Sequence, residues 1–160
     1  MKLVSRILSL LVITGLAAFI VGCDGGDDPK KSDQDVQLSL LNGTWNATES
    51  VTFNGSQPAL DHKEFVLKIN AQPGDEIMSF TVENRPTGPS AWPANGTFSF
   101  GANVKTDLLR KDSGGDVAIS YTVDKNSLVM KFTFTGDAYQ AGRTSSITGD
   151  WVFEFTKQTN

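Results

Sequence analysis

The sequence predicts an all-β domain, either one antiparallel up-and-down barrel of roughly eight strands or a β-sandwich. From Leu38 onward, apolar and polar residues alternate with period 2, which is typical of strands with one buried face. Turn-forming residues separate the alternating stretches, as in NGSQP, QPGDE, DSGGD and DKNS. Because the stretches are short and regularly spaced, they favour a sandwich or a barrel.

Seven of the eight predicted strands alternate clearly, and the fifth is less clear. In order, they are TWNATESVTF, EFVLKIN, IMSFTV, GTFSFG, DLLRK, DVAISYTVD, SLVMKFTFT and DWVFEFTK. The preceding LSLL, at 38–41, fits one short helical turn. The large inward side chains favour an interior filled by the protein itself. These side chains include Phe65, Met130, Phe132 and Trp151.

Glu49 is the one acidic residue that the alternation aims inward, on the face of Trp45 and Ala47. A buried carboxylate without a partner is costly. Three explanations follow: Glu49 pairs with Arg110 or Arg143, it lines a wet ligand cavity, or a β-bulge or rim position turns it outward. Under the second explanation Glu49 is a candidate ligand-binding residue.

Two predicted loops are longer than a tight turn, NRPTGPSAWPANG at 84–96 and GDAYQAGRTSSITG at 136–149. Loops of this length in a compact domain are often functional. Trp92 either plugs one end of the core or faces a ligand. The candidate ligand-binding residues are therefore Glu49, Trp92, Tyr139 and Arg143.

Residues 1–22 are predicted to be a secretory signal peptide. Lys2 and Arg6 precede an uninterrupted apolar run over 7–21, which is shorter than the roughly 20 residues of a spanning helix. Removing Lys2 and Arg6 from the 14 basic residues leaves 12 against 18 acidic residues, so the remaining chain carries a net charge of −6. Such a chain repels phosphate backbones, and we expect no nucleic-acid partner.

Cys23 is the only cysteine, so the chain forms no internal disulfide. With Ile20 three residues before it and Gly22 directly before it, Cys23 resembles the lipobox cysteine of bacterial lipoproteins. The resemblance implies cleavage after Gly22, a diacylglyceryl group on the Cys23 sulfur and an acyl group on its amine. Two or three acyl chains hold a protein firmly on a membrane, whereas one chain binds marginally. No other cofactor is expected.

Residues 23–37 are predicted to be the lipidated N-terminus and a flexible acidic tether, followed by the β-domain over 38–160. The stretch 24–35 has no aliphatic or aromatic side chain with which to offset the entropy of ordering. Asp27 and Asp28 resemble a surface-export signal of Bacteroidetes-type lipoproteins, whereas Asp24 resembles an inner-membrane retention signal. We expect a cell-envelope protein, with the outer membrane favoured.

Gly43 and Trp45, in LNGTW, resemble the opening strand of lipocalin-like domains. The resemblance implies that Trp45 closes the barrel base and that a late cation, Lys157 or Arg143, packs on it. A glycine precedes an aromatic residue again in WPANGTF and in GDWVFEF, where it lets the chain turn into a strand. The whole chain is similar to small lipocalin-like lipoproteins of Bacteroidetes-type bacteria. This similarity implies transport of a small apolar or amphipathic ligand in the barrel.

The sequence contains no recognisable catalytic or metal motif, and we expect no enzyme. His62 is the only histidine and is expected at the surface. No cluster of histidine and cysteine suits zinc, and no phosphate-binding glycine loop occurs. Besides ligand binding, two functions remain: a surface module that binds protein or glycan through Trp92 and Tyr139, and a structural accessory subunit of an envelope complex.

Overall fold

The computed structural model of the protein describes residues 31–48, 50–58, 61–88, 90–112, 115–135 and 147–159. In these ranges the chain forms one helix followed by nine strands. The elements are α1 (Asp33–Leu41), β1 (Gly43–Ala47), β2 (Thr52–Phe53), β3 (Val66–Asn70), β4 (Met78–Glu83), β5 (Asn95–Phe100), β6 (Asp107–Asp112), β7 (Gly115–Val123), β8 (Ser127–Phe134) and β9 (Gly149–Lys157).

Eight of the strands form a closed antiparallel barrel of lipocalin-like type. Strands β3 to β9 pair in chain order, and β1 pairs with both β3 and β9, which closes the sheet. The short strand β2 adds to β9 as a ninth strand. Closure confirms the predicted barrel and rules out the sandwich.

The first predicted strand, TWNATESVTF, is not continuous. Ala47 lies opposite Phe155 and Thr52 lies opposite Val152, so four residues of this chain segment oppose two residues of β9. Strands β1 and β2 therefore both pair with β9, but two residues out of step with each other. The stretch predicted as the first strand is thus divided into two strands, β1 and β2.

The predicted alternation is confirmed in the later strands. In β4 and β8, every second side chain is buried and the intervening ones are exposed or half-buried. These side chains belong to one core cluster that runs through the barrel. The four large side chains predicted to fill the interior are all in it, namely Phe65, Met130, Phe132 and Trp151.

The two ends of the barrel differ. At one end, called the helix end, α1 lies against the connections 71–77 and 101–106. The opposite end, called the loop end, is where the connections 54–65, 84–94 and 135–148 leave and rejoin the barrel. The longer connections are therefore at the end opposite α1.

Helix α1 is longer than the predicted helical turn and begins inside the segment predicted to be a tether. Ser32 caps it: its hydroxyl oxygen accepts from the Asp35 N–H at 3.0 Å and donates to the Asp35 carboxylate at 2.7 Å. Leu38 and Leu41 are fully buried under the barrel. Among the described residues, no helix has the length and apolar character needed to cross a membrane.

Candidate functional site

Trp92 lies inside the loop end of the barrel and has no exposed surface. Its ring meets five phenylalanine rings, with centroid distances from 5.6 to 6.3 Å and interplanar angles from 61° to 89°. Edge-to-face contacts of this kind are favourable aromatic pairs. The partners are Phe65, Phe80, Phe98, Phe132 and Phe153. Trp92 therefore plugs the barrel, the first of the two roles predicted for it, and presents no surface to a partner outside.

Arg110 places a positive charge directly beside Trp92. The guanidinium carbon lies 4.9 Å from the Trp92 ring centroid and 5.3 Å from that of Phe132. Arg110 is fully buried, and its Nη1 donates to the Ala91 carbonyl at 3.0 Å. Burial of a charge is costly, and cation–π contacts and hydrogen bonds offset part of that cost. The arrangement is a cation enclosed by aromatic rings in the barrel interior.

The segment that carries Trp92 is held in place by side chains. Arg85 Nη1 donates to the Trp92 carbonyl at 3.1 Å. The Ser90 hydroxyl donates to the same carbonyl and accepts from the Trp92 backbone N–H, both at 3.1 Å. Within the part of the chain that the structure describes, the buried Trp92 indole N–H meets no acceptor. Such a group normally finds a partner, so the Trp92 indole presents a hydrogen-bond donor to an apolar interior beside the buried Arg110.

From the sequence, Arg110 was expected only as a partner for Glu49, and its place beside Trp92 in the interior was not predicted. The signal was present, since Leu108 and Arg110 stand two residues apart in DLLRK and share a strand face. The other predicted site residues, Cys23, Glu49, Tyr139 and Arg143, lie outside the described residues.

His62 is buried at 7% exposure, so the prediction of a surface histidine was wrong. Its ring is edge-on to Trp151 at 5.7 Å and to Phe153 at 5.5 Å. The connection 54–65 folds back over the aromatic residues of β9, while the neighbours Asp61 and Lys63 stay exposed. His62 thus helps to close the loop end, through tertiary contacts that strand periodicity does not encode.

The helix end is closed by Trp45 and Lys157. The Lys157 Nζ lies 4.8 Å from the Trp45 ring centroid and donates to the Leu40 carbonyl at 2.9 Å. Burial lowers the pKa of Lys157 below its usual value. The Trp45 indole N–H donates to the Leu41 carbonyl at 2.8 Å. Lys157 is therefore the late cation that the resemblance implied for Trp45.

Gly43 is needed for this closure. Its φ of 137° lies in a region that residues with a side chain rarely adopt, and an added Cβ would lie 2.7 Å from Lys157 Cε. The same local arrangement recurs at Gly149 and Trp151, where the indole N–H donates to the Ile147 carbonyl at 3.0 Å. The glycines preceding these tryptophans thus let the chain turn closely into a strand, as predicted.

Outside the barrel, β1, β3 and β4 form a surface depression of about 210 Å³. Its outward lining is mostly short and polar, with Thr44, Asn70, Ser79 and Thr81 beside Lys68. Among the described residues, no three histidine, cysteine, aspartate or glutamate side chains gather as they do around a metal ion.

Comparisons with known proteins assign no family. No family model matches the chain, and no curated protein is similar enough to match it.

Proposed function

We propose that this chain is a non-enzymatic, lipid-anchored protein of the cell envelope whose barrel binds one small amphipathic molecule at its loop end. The lipid is attached to Cys23, and the agreement of the basic start, the apolar run and the lipobox supports this. The outer membrane is the favoured location. The observation that carries the binding function is the fully buried Arg110 beside Trp92.

The chemistry around Arg110 favours a ligand with one polar end. Replacing even a paired buried charge with apolar side chains is often neutral or stabilising, so a guanidinium in the barrel interior favours a role beyond that of a scaffold. The aromatic rings suit an apolar body, and the guanidinium suits a carboxylate or carbonyl head that accepts hydrogen bonds. Since Trp92 fills the space between these rings, the ligand takes the place of its side chain when it binds.

Native mass spectrometry of the domain purified from its own host tests the binding function. The domain should begin at Lys31, because α1 belongs to the same compact unit as the barrel. We expect one small carboxylate- or carbonyl-bearing molecule per chain, retained in the native spectrum and lost on denaturation. The bare protein mass alone, together with no binding of added fatty acids, would falsify the binding function.

The lipid anchor is tested separately with Cys23→Ser. We expect the wild-type chain to incorporate a fatty-acid label in growing cells and the variant to incorporate none. Continued labelling of the variant refutes the anchor. A Ser39→Cys, Cys23→Ser double variant is a matched control, because it restores one thiol away from the lipobox and should remain unlabelled.

A surface-binding function is the second candidate, and the polar depression over β1, β3 and β4 favours it. Trp92 no longer supports this function, since it is fully buried. Glycan or protein binding that Lys68→Ala and Asn70→Ala abolish, with Arg110→Met unaffected, would assign the function to the outer face instead.

A further inference from the structure

The chain enters the barrel at the helix end. Three contacts fix the start of α1 there: Asp33 pairs with Lys105 at 3.0 Å, Gln34 donates to the Asp75 carbonyl at 3.0 Å, and Asp35 accepts from the Gly74 N–H at 2.8 Å. Lys31 and Ser32, where the described part of the chain begins, therefore lie at this end.

The tether to the predicted anchor is short. Nine residue steps separate Cys23 from Ser32. They span at most about 30 Å when fully extended. The helix end must therefore lie within a few nanometres of the bilayer that holds the lipid.

The barrel is about as long as the fully stretched tether. Strand β9 has nine residues, or about 27 Å along its length. At the usual barrel tilt it contributes about 20 Å along the axis, and the layer of α1 adds about 10 Å. An inverted barrel would thus require the tether to run its full extension along the outside. Any span shorter than full extension leaves the helix end nearest the membrane.

The surface of the helix end suits this position. Among the described residues, the exposed large hydrophobic side chains are Val36 at 40% and Ile77 at 63%, and both belong to this end. The exposed Glu76 adjoins Ile77, and the exposed Asp33, which pairs with Lys105, lies one helical turn before Val36. Apolar side chains favour contact with a lipid surface, whereas the carboxylates are repelled by anionic lipids. The fitting partner is a zwitterionic bilayer surface.

We propose that the helix end faces the bilayer, with Val36 and Ile77 against a zwitterionic lipid surface, and that the loop end points away from the membrane. This orientation rests on the lipid anchor of the proposed function. It displays the loop end, with Trp92 and Arg110 beneath its connections, to molecules arriving from the aqueous side.

Energy transfer from a dye on the protein to acceptor lipids tests the orientation. The full lipidated chain is reconstituted in phosphatidylcholine vesicles that contain a headgroup-labelled acceptor. One variant carries a dye at Ile77→Cys, and the matched control carries it at Asp116→Cys, which is exposed beside the β6–β7 turn at the loop end. Lys125→Cys, exposed in the β7–β8 turn, gives a second position at the helix end if Ile77→Cys fails to fold.

We expect several-fold higher transfer from positions 77 and 125 than from position 116, and lower transfer from position 77 when anionic lipid replaces part of the phosphatidylcholine. Equal transfer from both ends, or higher transfer from position 116, with the protein still floating with the vesicles, overturns the orientation and leaves the anchor intact. Failure of the protein to float with the vesicles overturns the anchor and the orientation together.

Discussion

Trp92→Ala should remove about 4 kcal/mol from the free energy of unfolding of the domain. Truncating a fully buried tryptophan typically costs about 3–5 kcal/mol, and Trp92 has no exposed surface. The desolvated contact with Arg110, at 4.9 Å, is of a kind that contributes about 2 kcal/mol, which overlaps the truncation cost and does not add to it. A domain is stable by about 5–15 kcal/mol, so the variant should still fold.

Urea denaturation of the domain from Lys31 onward, followed by far-ultraviolet circular dichroism, measures this loss. Trp92→Phe keeps an aromatic ring in place and should lose about half as much. Val36→Ala, on the outer face of α1, is the control and should change stability by no more than about 0.5 kcal/mol. A loss below about 1 kcal/mol for Trp92→Ala would place that site in the range of ordinary surface substitutions and refute its role as the plug.

Three further predictions follow from other contacts. Trp92→Ala empties the ligand position, and in this background the affinity for dodecanoate can be measured by calorimetry. Adding Arg110→Met should weaken dodecanoate binding roughly 10- to 100-fold, because a charge-assisted hydrogen bond is lost. Unchanged affinity would contradict the role of Arg110. Gly43→Ala should lower the thermal midpoint, because a residue with a side chain rarely adopts the Gly43 φ of 137° and its Cβ would lie 2.7 Å from Lys157 Cε; an unchanged midpoint would contradict the need for glycine at this position. Hydrogen bonds from the Ser32 hydroxyl and then from the Gly74 N–H hold the pKa of Asp35 below 3.8. The contribution of Asp35 to stability is therefore present above pH 3.8 and is lost as the pH falls through the folded pKa. Asp35→Asn should reduce this loss of stability at acid pH in pH-dependent unfolding, and identical profiles for the two chains would contradict it.

The barrel was predictable because each strand carries its own signal. In β8, Leu128, Met130 and Phe132 are buried and alternate with more exposed residues, as the alternation in the sequence predicts. The Gly43–Trp45 pair similarly indicated how the chain enters its first strand, and the resemblance supplied Lys157 as one of two cations for Trp45. Both the alternation within a strand and a glycine at a close backbone approach can be recognised from a short stretch of sequence.

Features that depend on tertiary contacts were not predictable in the same way. His62 has charged neighbours on both sides and becomes buried only because its connection folds across Trp151 and Phe153. The stretch predicted as the first strand is divided because its two halves, β1 and β2, pair with β9 in registers that differ by two residues. The start of α1 at Asp33 did carry a local signal, because Ser32 and Asp35 form a cap. The segment was nevertheless predicted to be a tether, because its composition is polar.

The candidate site shows the same division. That Trp92 has a plugging role could be proposed from a large apolar residue in a proline-rich loop. Its neighbour Arg110 lies 18 residues away in the chain, and only the closure of the barrel brings the two side chains within 4.9 Å. The spacing of Leu108 and Arg110 indicates an inward Arg110, but its position beside Trp92 follows only from the topology of the barrel.

The native mass of the domain purified from its own host, compared between the wild-type chain and Arg110→Met, tests the proposed binding function most directly. We expect one small amphipathic molecule bound per wild-type chain and a bare mass for the variant. A bare mass for both chains, or the same bound molecule on both, would contradict the assignment of Arg110 and the loop-end interior as the binding site.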